Sequence, residues 1–389
     1  MPFAGFWGNN MRFVIVGTAF PMRGGIAQYV ALLYQTLIQA GHYVHVLSFK
    51  RQYPELFFPG KTQEDEGKEL ISIQSTPLLD SINPLTWIKA FLWLKKVRPD
   101  ALVFKYWMPF FAPCYAVLGG LAKWKLGIRL IYICDNIIPH EKKPGEVLLT
   151  KLGLRFVDGF IAQSASVRRD LLSMRPDALY MDIPHPVYTI FPEAISKTDA
   201  RRKLRISEKS VILYFGFIRA YKGLKYLIQA MPGILEKINV RCVICGEFYE
   251  GRDETFSLIH ELGLDSHVTV EDRFTPNEMV NQFFCAADLV VLPYVTATQS
   301  GVVQVAYHYN RPVVVTRVGG LPEVVLEGKT GYVIPPENPA ALQDAVLRYY
   351  KDEKTTDFEA HIEKEKQKYS WERMGEAVAR LAQKQFQKD

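Results

Sequence analysis

Residues 12–47 read RFVIVGTAFPMRGGIAQYVALLYQTLIQAGHYVHVL, and they decide the fold. Residues 12–17 form a short β-rich run that leads into a glycine-containing loop. From 26 to 40 the apolar residues recur at helical spacing, and Gly41 stands where a glycine commonly ends a helix. Residues 43–47 then predict a second strand. A strand, glycine loop, helix and strand in this order predict a βαβ unit and therefore a parallel sheet.

The rest of the N-terminal half continues the same alternation. Three further apolar runs predict buried strands: Ala101–Phe104, Leu130–Cys134 and Gly159–Ala162. Near residues 183–192 the chain becomes rich in proline, and it is then charged up to Lys209. Such a change of composition is typical of a domain boundary.

A second alternating array begins at Val211. Its predicted strands are 211–216, 240–246, 268–270, 288–292 and 312–316. Its predicted helices are 222–237, 253–263, 277–286, 300–310 and 339–351, and a further helix begins at Trp371. This half therefore also predicts a Rossmann-like layered structure.

The predicted fold class is α/β, with two Rossmann-like doubly wound domains facing each other across a cleft. We expect an N-terminal tail at 1–10, a first domain at 11–190, a second domain at 191–366 and a closing helix at 367–389. Ligands of such sheets bind beyond the carboxyl ends of the strands, so two domains of this kind can share one site.

Composition limits the possible functions. The 389 residues are 48% hydrophobic and 23% charged, which is ordinary for a globular protein and argues against disorder. A formal net charge of +6 is too small to indicate nucleic acid without a basic stripe, so no nucleic-acid partner is expected. This charge suits an anionic small molecule or an acidic membrane surface.

Cysteines and apolar runs indicate the compartment. The five cysteines are scattered, and Cys242 and Cys245 lie in an apolar run that predicts a buried strand, so we expect core thiols and not a zinc site. Residues 1–10 lack the features of a signal peptide, and no run reaches the ~20 apolar residues of a spanning helix. We expect a cytoplasmic protein.

Residues 106–122 (YWMPFFAPCYAVLGGLA) leave two interpretations open. They either pack in the N-terminal core or form a patch that dips into a membrane. Lysine and arginine residues on both sides would support the second interpretation: Lys95, Lys96, Arg98, Lys123 and Lys125. This second interpretation implies peripheral contact with the inner face of a membrane.

Residues 215–223 (FGFIRAYKG) leave a predicted strand and enter a predicted helix. Gly216 permits close approach of the backbone, and a helix N-terminus attracts anions. Arg219 and Lys222 are three residues apart and can both point at one pyrophosphate. The alternative is that they are two solvated surface cations. The position after a strand, in a loop facing the cleft, favours anion binding.

Other phosphate-binding patterns are absent from the sequence. There is no P-loop motif, no G-x-G-x-x-G follows the first strand, and no Asp-x-Asp pair is present to hold a metal ion against a diphosphate. Fixed cations would have to neutralise the diphosphate instead. Neither a metal nor another cofactor is expected.

With these motifs in place, residues 11–386 resemble a retaining glycosyltransferase of the GT-B fold, similar to glycosyltransferase family 4. The resemblance is carried by Gly24-Gly25 with Gly41-His42-Tyr43-Val44, by Gly216, Arg219 and Lys222-Gly223, by residues 286–293 (AADLVVLP), and by residues 319–325 (GGLPEVV) with Gly331-Tyr332-Val333. It implies that the first domain binds an acceptor and the second a nucleotide-sugar, UDP-sugar or GDP-sugar. It also implies that the final helix crosses back onto the first domain.

The sequence departs from this family at two donor-binding positions. The family usually has Glu-x7-Glu before the P-V-V strand, and here those positions are Thr296 and Gln304. By resemblance, Gln304 would hydrogen-bond ribose hydroxyls without a charge, and Thr296 would be a weaker partner of the donor sugar. Ser300, Gly301 and Val302 lie where amides at a helix start would meet the sugar and phosphate.

The second departure concerns the catalytic position of the first domain. After the strand 130–134 the family often has a histidine, and here the residue is Asp135. It would accept a hydrogen bond from the donor sugar or acceptor, or stabilise positive charge at the anomeric carbon. A structural turn at the strand end is an equally good interpretation. His140 is a weaker catalytic candidate.

The resemblance completes the candidate site. The base would lie near Glu247, Arg273 and Phe274, the diphosphate at Arg219 and Lys222 with the Gly24-Gly25 loop, and Glu323 would close the donor site. The predicted reaction moves a sugar to a glycan, a lipid-linked acceptor or another hydroxyl. A nucleotide-sugar epimerase and a catalytically silent binding subunit are the alternatives.

Overall fold

The structure of the protein is a computed structural model that describes residues 10–54, 58, 62–65, 67–138 and 145–383. The chain forms two compact units. Unit 1 contains the described residues up to Asp65, then Glu69–Pro186, and the residues from Ser370 onward. Unit 2 contains Val187–Tyr369 together with Gly67 and Lys68.

Unit 1 is built on a seven-stranded parallel sheet with the strand order β3-β2-β1-β4-β5-β6-β7. The strands are β1 (Arg12–Val16), β2 (Tyr43–Arg51), β3 (Ser75–Asp80), β4 (Ala101–Tyr106), β5 (Arg129–Cys134), β6 (Gly159–Ala162) and β7 (Tyr180–Asp182). The helices between them are α1 (Gly25–Gln39), α2 (Pro84–Val97), α3 (Ala112–Leu126), α4 (Glu146–Leu154) and α5 (Ala165–Met174). Every residue of β4 is buried, as expected for a parallel strand covered on both faces.

Unit 2 is built on a six-stranded parallel sheet with the strand order β10-β9-β8-β11-β12-β13. The strands are β8 (Ser210–Phe215), β9 (Val240–Cys245), β10 (Val268–Glu271), β11 (Leu289–Leu292), β12 (Val313–Thr316) and β13 (Gly331–Ile334). The helices are α6 (Lys197–Lys203), α7 (Leu224–Leu235), α8 (Arg252–Glu261), α9 (Val280–Ala286), α10 (Gly301–His308), α11 (Pro339–Asp352) and α12 (Phe358–Glu365). The prediction of two Rossmann-like doubly wound domains is therefore confirmed.

The last described helix, α13 (Trp371–Ala382), belongs to unit 1. It packs against α1, β5 and β6 of that unit. Trp371, Met374 and Val378 on its inner face are buried. The chain therefore returns to its first unit after completing the second, as the predicted crossover helix requires.

The helices of unit 1 cover the two faces of its sheet. Right-handed crossovers place α1, which connects β1 to β2 in one direction, on the opposite face from α2, α3 and α4, which connect strands in the other direction. In agreement, α1 packs against α13, whereas α2 packs against α3 and α3 against α4.

Residues 106–122 lie in the core of unit 1. Tyr106, Phe111 and Tyr115 are buried in its main hydrophobic cluster. These three side chains pack in the core, as the first interpretation predicts, and contact with a membrane stays a prediction. None of the described helices is long and apolar enough to cross a bilayer. Cys242 and Cys245 are buried thiols of β9, as predicted.

Candidate nucleotide-binding site

The site in unit 2 begins where β8 ends. Gly216 follows this strand with φ +104°, a conformation that disfavours any side chain. Its amide donates to the Cys245 carbonyl at 2.9 Å, and a β-carbon on Gly246 would lie 2.0 Å from the Gly216 carbonyl oxygen. Because Gly216 and Gly246 lack side chains, the backbones of the loops after β8 and β9 can contact each other directly.

A short 3-10 helix, Ala220–Lys222, positions the two predicted cations. Arg219 caps its start, and Lys222 is its last residue. The ammonium of Lys222 folds back toward the strand end, 3.3 Å from where a β-carbon on Gly216 would be. Burial, together with the nearby charge of Arg219, lowers the pKa of Lys222 to about 8. Partial desolvation and a neighbouring like charge both disfavour the protonated ammonium.

These cations contact aromatic rings. Lys222 Nζ lies 5.7 Å from the centre of the Tyr294 ring, and Arg219 Cζ lies 5.2 Å from that of Tyr249. Within the part of the chain that the structure describes, neither side chain is in ion-pair distance of a carboxylate. The two positive charges are therefore available to an anion.

The loop after β11 is fixed against this cation pair. Gly223 has φ +66°, and a β-carbon there would lie 2.0 Å from the Pro293 carbonyl oxygen. The amide of Val295 donates to the Tyr221 carbonyl at 2.7 Å. Because these backbones touch, the loop holding Thr296 is held close to the 3-10 helix. Thr296 itself is half-buried.

The start of α10 lies beside Gly216, since Val302 Cγ2 is 3.6 Å from the position of a Gly216 β-carbon. Ser300 is the N-cap of α10 and accepts a hydrogen bond from the Val302 amide at 3.3 Å. Gly301 packs against the Tyr188 ring, which a β-carbon would approach to 3.1 Å. The positive end of this helix dipole therefore faces the same loop as the two cations.

Gln304 lies one turn into α10 and is only 2% exposed. Its amide oxygen has no hydrogen-bond partner among the described residues. A buried acceptor left unsatisfied costs about 1–3 kcal/mol, so this oxygen suits a ligand hydroxyl. The resemblance-based prediction that Gln304 binds ribose fits this geometry.

Glu323 lies in a second loop tied to the site. The loop after β12 contacts the loop after β11, since the Gly320 amide donates to the Thr298 carbonyl at 2.9 Å. Gly319 permits this approach, because a β-carbon there would lie 1.8 Å from the Ala297 carbonyl oxygen. Glu323 is exposed in the 3-10 helix that follows.

Phe274, which was predicted near the base, lies on an aromatic edge of unit 2. Phe217 stacks on Phe274 at 5.9 Å between ring centres and contacts Tyr249 at 4.7 Å. Glu247 is buried next to them, and its carbonyl accepts from the Ile218 amide. Arg273 is exposed and forms an ion pair with Glu271 at 3.3 Å, which partly neutralises its charge.

In unit 1, Gly24 and Gly25 lie at the start of α1. Gly24 is the N-cap residue with φ +105°, and Gly25 is exposed. The predicted glycine loop is therefore present at the carboxyl end of β1. His140 lies outside the described residues.

Asp135 takes part in a buried cluster that the sequence did not predict. It follows β5 and accepts a hydrogen bond from Lys105 of β4 at 2.7 Å. Lys105 is 2% exposed, also donates to Gln163 at 3.1 Å, and lies 3.4 Å from the centre of the Tyr29 ring. Burial lowers the pKa of Lys105. Asp135 is thus half of a buried ion pair at the carboxyl end of the sheet.

Over the described ranges, no three His, Cys, Asp or Glu side chains gather where they could hold a metal ion. Metal independence stays a prediction.

Two family models match the two halves of the chain. The model for Glycosyltransferase Family 4 matches residues 23–188, and the model for Glycosyl transferases group 1 matches residues 209–352. The first match falls in unit 1 except for Gly67, Lys68 and its last two residues, and the second falls in unit 2.

Curated relatives match part of the chain. An uncharacterized glycosyltransferase of Methanocaldococcus jannaschii is 32% identical over 188 residues, which cover 48% of this chain and 48% of that protein. A D-inositol 3-phosphate glycosyltransferase of Corynebacterium efficiens is 32% identical over 163 residues, which cover 40% of this chain and 38% of that protein. The chain thus spans less than half the length of either relative in these matches.

A solved structure shares the fold over nearly the whole chain. HepE of Anabaena, in complex with UDP and glucose, matches with a TM-score of 0.72 at 18% identity and covers 95% of this chain and 98% of that one. At this identity the likeness concerns the fold.

Proposed function

Since the chain belongs to the glycosyltransferases of the family 4 type with a GT-B fold, we propose that it moves a sugar from a nucleoside diphosphate donor to a hydroxyl acceptor, with retention and without a metal ion. The observation that carries the donor assignment is the cation pair Arg219 and Lys222. Two half-buried positive charges without carboxylate partners, beside Gly216 and the start of α10, suit a diphosphate.

The same cations would also serve catalysis. Breaking the bond between the anomeric carbon and the phosphate oxygen builds negative charge on the departing diphosphate. Arg219 and Lys222 would stabilise that charge more in the transition state than in the ground state. The electron pair of the broken bond goes to the phosphate oxygen, and the acceptor hydroxyl passes its proton to that oxygen as it bonds to the anomeric carbon.

Retention is proposed to proceed by same-face substitution through an oxocarbenium-like state. The carboxylate predicted at the catalytic position, Asp135, is hydrogen-bonded to Lys105, which lowers its nucleophilicity. A charge-stabilising role for Asp135 stays a prediction of the resemblance. Trapping a glycosyl-enzyme adduct by mass spectrometry would contradict this mechanism.

The other donor contacts follow from the geometry of unit 2. Gln304 would accept a hydrogen bond from ribose, and the start of α10 at Ser300, Gly301 and Val302 would meet the phosphate and sugar. The aromatic edge at Phe217 and Phe274 would stack on the base. The roles predicted for Glu323, Thr296, Arg273, Gly24 and Gly25 stay predictions.

We take a UDP-sugar as the first donor to test and a GDP-sugar as the second, because HepE was solved with UDP. The acceptor is proposed to be a glycan or a lipid-linked sugar. At the carboxyl ends of β2 and β4, Tyr53 accepts a hydrogen bond from Trp107 at 3.1 Å and stacks on Phe110 at 5.8 Å. Partly exposed rings of this kind suit the apolar faces of sugars.

The test replaces Lys222 with alanine. Thermal-shift titration with UDP and GDP and initial rates with nucleotide-sugars are compared between the wild type, Lys222→Ala and Lys225→Ala. Lys225 is the matched control, because it lies three residues further on, is exposed and contacts Tyr226. By analogy with a lost oxyanion donor, Lys222→Ala should lower turnover about 10²–10³-fold.

The outcomes separate the alternatives. Lys225→Ala should keep both the nucleotide-induced shift and the rate of the wild type. Turnover of Lys222→Ala close to that of the wild type would refute the diphosphate assignment. A wild type that binds nucleotide without transferring or hydrolysing any donor would instead indicate a silent binding subunit.

A further inference from the structure

The outer surface of α2 is apolar where a surface helix is expected to be polar. Leu85, Ile88 and Leu92 are 71%, 45% and 52% exposed. Their spacing of three and four residues places them on one stripe of the helix, opposite the buried Trp87 and Leu94. This stripe faces solvent and not the sheet.

The apolar surface continues on the two neighbouring helices. Trp124 on α3 is 68% exposed, with its ring edge-on to Phe156 at 4.7 Å between centres. Leu148 and Leu152 on α4 are 73% and 38% exposed. Because α2 packs against α3 and α3 against α4, these residues cover the outside of one helical layer. We call Leu85, Ile88, Leu92, Trp124, Leu148 and Leu152 the outer apolar surface.

All charged side chains on α2 and α3, two helices of the outer apolar surface, are positive. Neither α2 nor α3 contains an acidic residue. Their lysines are Lys89, Lys95, Lys96, Lys123 and Lys125. Lys123 pairs with Asp158, whereas Lys95, Lys96 and Lys125 are exposed. Exposed leucine, isoleucine and tryptophan with flanking lysines form the pattern of an interfacial membrane helix.

We propose that the outer apolar surface docks unit 1 on a lipid bilayer that contains anionic headgroups. The apolar side chains would enter the headgroup region, and the lysines would meet lipid phosphates. A second copy of the chain is a poorer occupant, since a two-fold interface would bring the lysines of α2 and α3 against each other without acidic partners on these helices. The docking is a property of unit 1 and does not depend on the transfer reaction.

The experiment measures sedimentation of the purified full-length protein with vesicles, in the absence of donor. One set of vesicles is phosphatidylcholine alone, and the other contains phosphatidylglycerol as well. The first variant carries Leu85→Asn, Ile88→Asn and Leu92→Asn together. Its matched control is Ile38→Asn, because Ile38 is 41% exposed on α1, in the helical layer on the other face of the same sheet. A second variant carries Lys95→Gln and Lys96→Gln.

The wild type and Ile38→Asn should bind vesicles with phosphatidylglycerol more tightly than phosphatidylcholine alone, and added salt should weaken this binding. The triple asparagine variant should lose it. The double glutamine variant should bind anionic vesicles about 25-fold more weakly, since each of the two lysines near such a surface contributes roughly fivefold. All variants should keep the calorimetric unfolding transition of unit 1 at the wild-type temperature, which shows that this unit is folded.

Two results would overturn the proposal. The first is vesicle binding that the asparagine and glutamine variants leave unchanged. The second is an absence of vesicle binding together with wild-type self-association that the triple variant abolishes, which would make a second copy the occupant. Loss of the UDP-induced shift in the wild type would contradict the proposed function and leave the vesicle result intact.

Discussion

At the scale of single residues, Lys222 controls the charge of the candidate phosphate site. Its pKa of about 8 means that the ammonium loses its proton in mildly alkaline solution. UDP binding should therefore be tightest below about pH 8 and weaken above it, by up to about tenfold per pH unit if the protonated form alone binds. The nucleotide phosphates, with a second pKa near 6, stay ionised over this interval.

The test is to measure the affinity for UDP by titration calorimetry at several pH values from neutral to alkaline. Lys222→Arg should flatten the profile, because a guanidinium stays charged throughout. Lys225→Arg should retain the wild-type profile. If the UDP affinity of Lys222→Arg fell at alkaline pH as much as that of the wild type, a group other than Lys222 would have to cause the pH dependence.

The ion pair between Lys105 and Asp135 makes a second prediction at this scale. Replacing Lys105 with methionine leaves a carboxylate buried without its partner, which should lower the free energy of unfolding of unit 1 by about 3–5 kcal/mol. Adding Asp135→Leu to Lys105→Met should recover most of that loss. Urea unfolding followed by circular dichroism measures both variants.

The matched control is the exposed ion pair between Arg168 and Asp182, with side chains 37% and 46% exposed. Arg168→Met should change the stability by less than about 1 kcal/mol. A loss at Lys105 no larger than the loss at Arg168 would contradict the assignment of a buried pair.

At the scale of elements, the sequence predicted the strands whose residues are buried on both faces. The predicted run 159–162 coincides with β6, and 240–246 extends β9 by one residue. Continuous apolar runs bounded by polar residues make such central strands visible. The helix predicted at 26–40 agrees with α1 to within one residue at each end, because periodic spacing and Gly41 mark it.

Edge strands and side-chain pairs were harder to predict. β3 contains Pro77 and pairs with β2 through shifts of register, so its sequence lacks the pattern of a strand. Lys105 looked like the end of an apolar run, and its partner Asp135 is thirty residues away. Tyr106 pairs with Cys134 in the β4–β5 ladder, and this register, which the sequence does not state, brings the two charges together.

The donor site was predictable because its residues are close together in sequence. Gly216, Arg219 and Lys222 lie within one loop, so a local motif identified them. The sequence did not predict which polar atoms have hydrogen-bond or ion-pair partners in the folded protein. The unpartnered oxygen of Gln304 and the pairing of Arg273 with Glu271 depend on the fold around them.

Helix α13 allows a prediction about one element. Val378 is fully buried on its inner face, and replacing it with aspartate would place an unpaired charge against α1 and β5. Val378→Asp should therefore destabilise unit 1 and leave the UDP-induced thermal shift of unit 2 in place. Differential scanning calorimetry with and without UDP measures both effects.

Glu376→Gln is the control for this experiment, because Glu376 is exposed on the same helix. It should leave the calorimetric trace unchanged. If Val378→Asp lowered neither transition, the docking of α13 in unit 1 would be refuted.

At the scale of the whole molecule, each unit contains a histidine that the fold keeps neutral. Burial, with the charge of Lys105 nearby, lowers the pKa of His185 to about 3. Burial and the charge of Lys366 lower the pKa of His308 to about 4. The unfolded chain binds these protons below pH ~6.5, so each histidine favours unfolding by about 1.4 kcal/mol per pH unit as the pH falls from there to its folded pKa.

The melting temperature should therefore fall between neutral pH and pH ~5. His185→Gln should reduce the acid sensitivity of the transition of unit 1, and His308→Gln that of unit 2. Calorimetry over this pH interval tests both variants. Equal acid sensitivity in the wild type and both variants would show that carboxylates control the decline.

The return of α13 to unit 1 also sets an order of events during synthesis. Val187–Tyr369 leaves the ribosome as one uninterrupted segment, so unit 2 has all of its strands before residue 371 is made. In unit 1, by contrast, the surface that packs against α13 stays exposed until that helix has been synthesised. Chaperones that recognise exposed apolar surface should consequently stay on the growing chain until translation has passed Ala382.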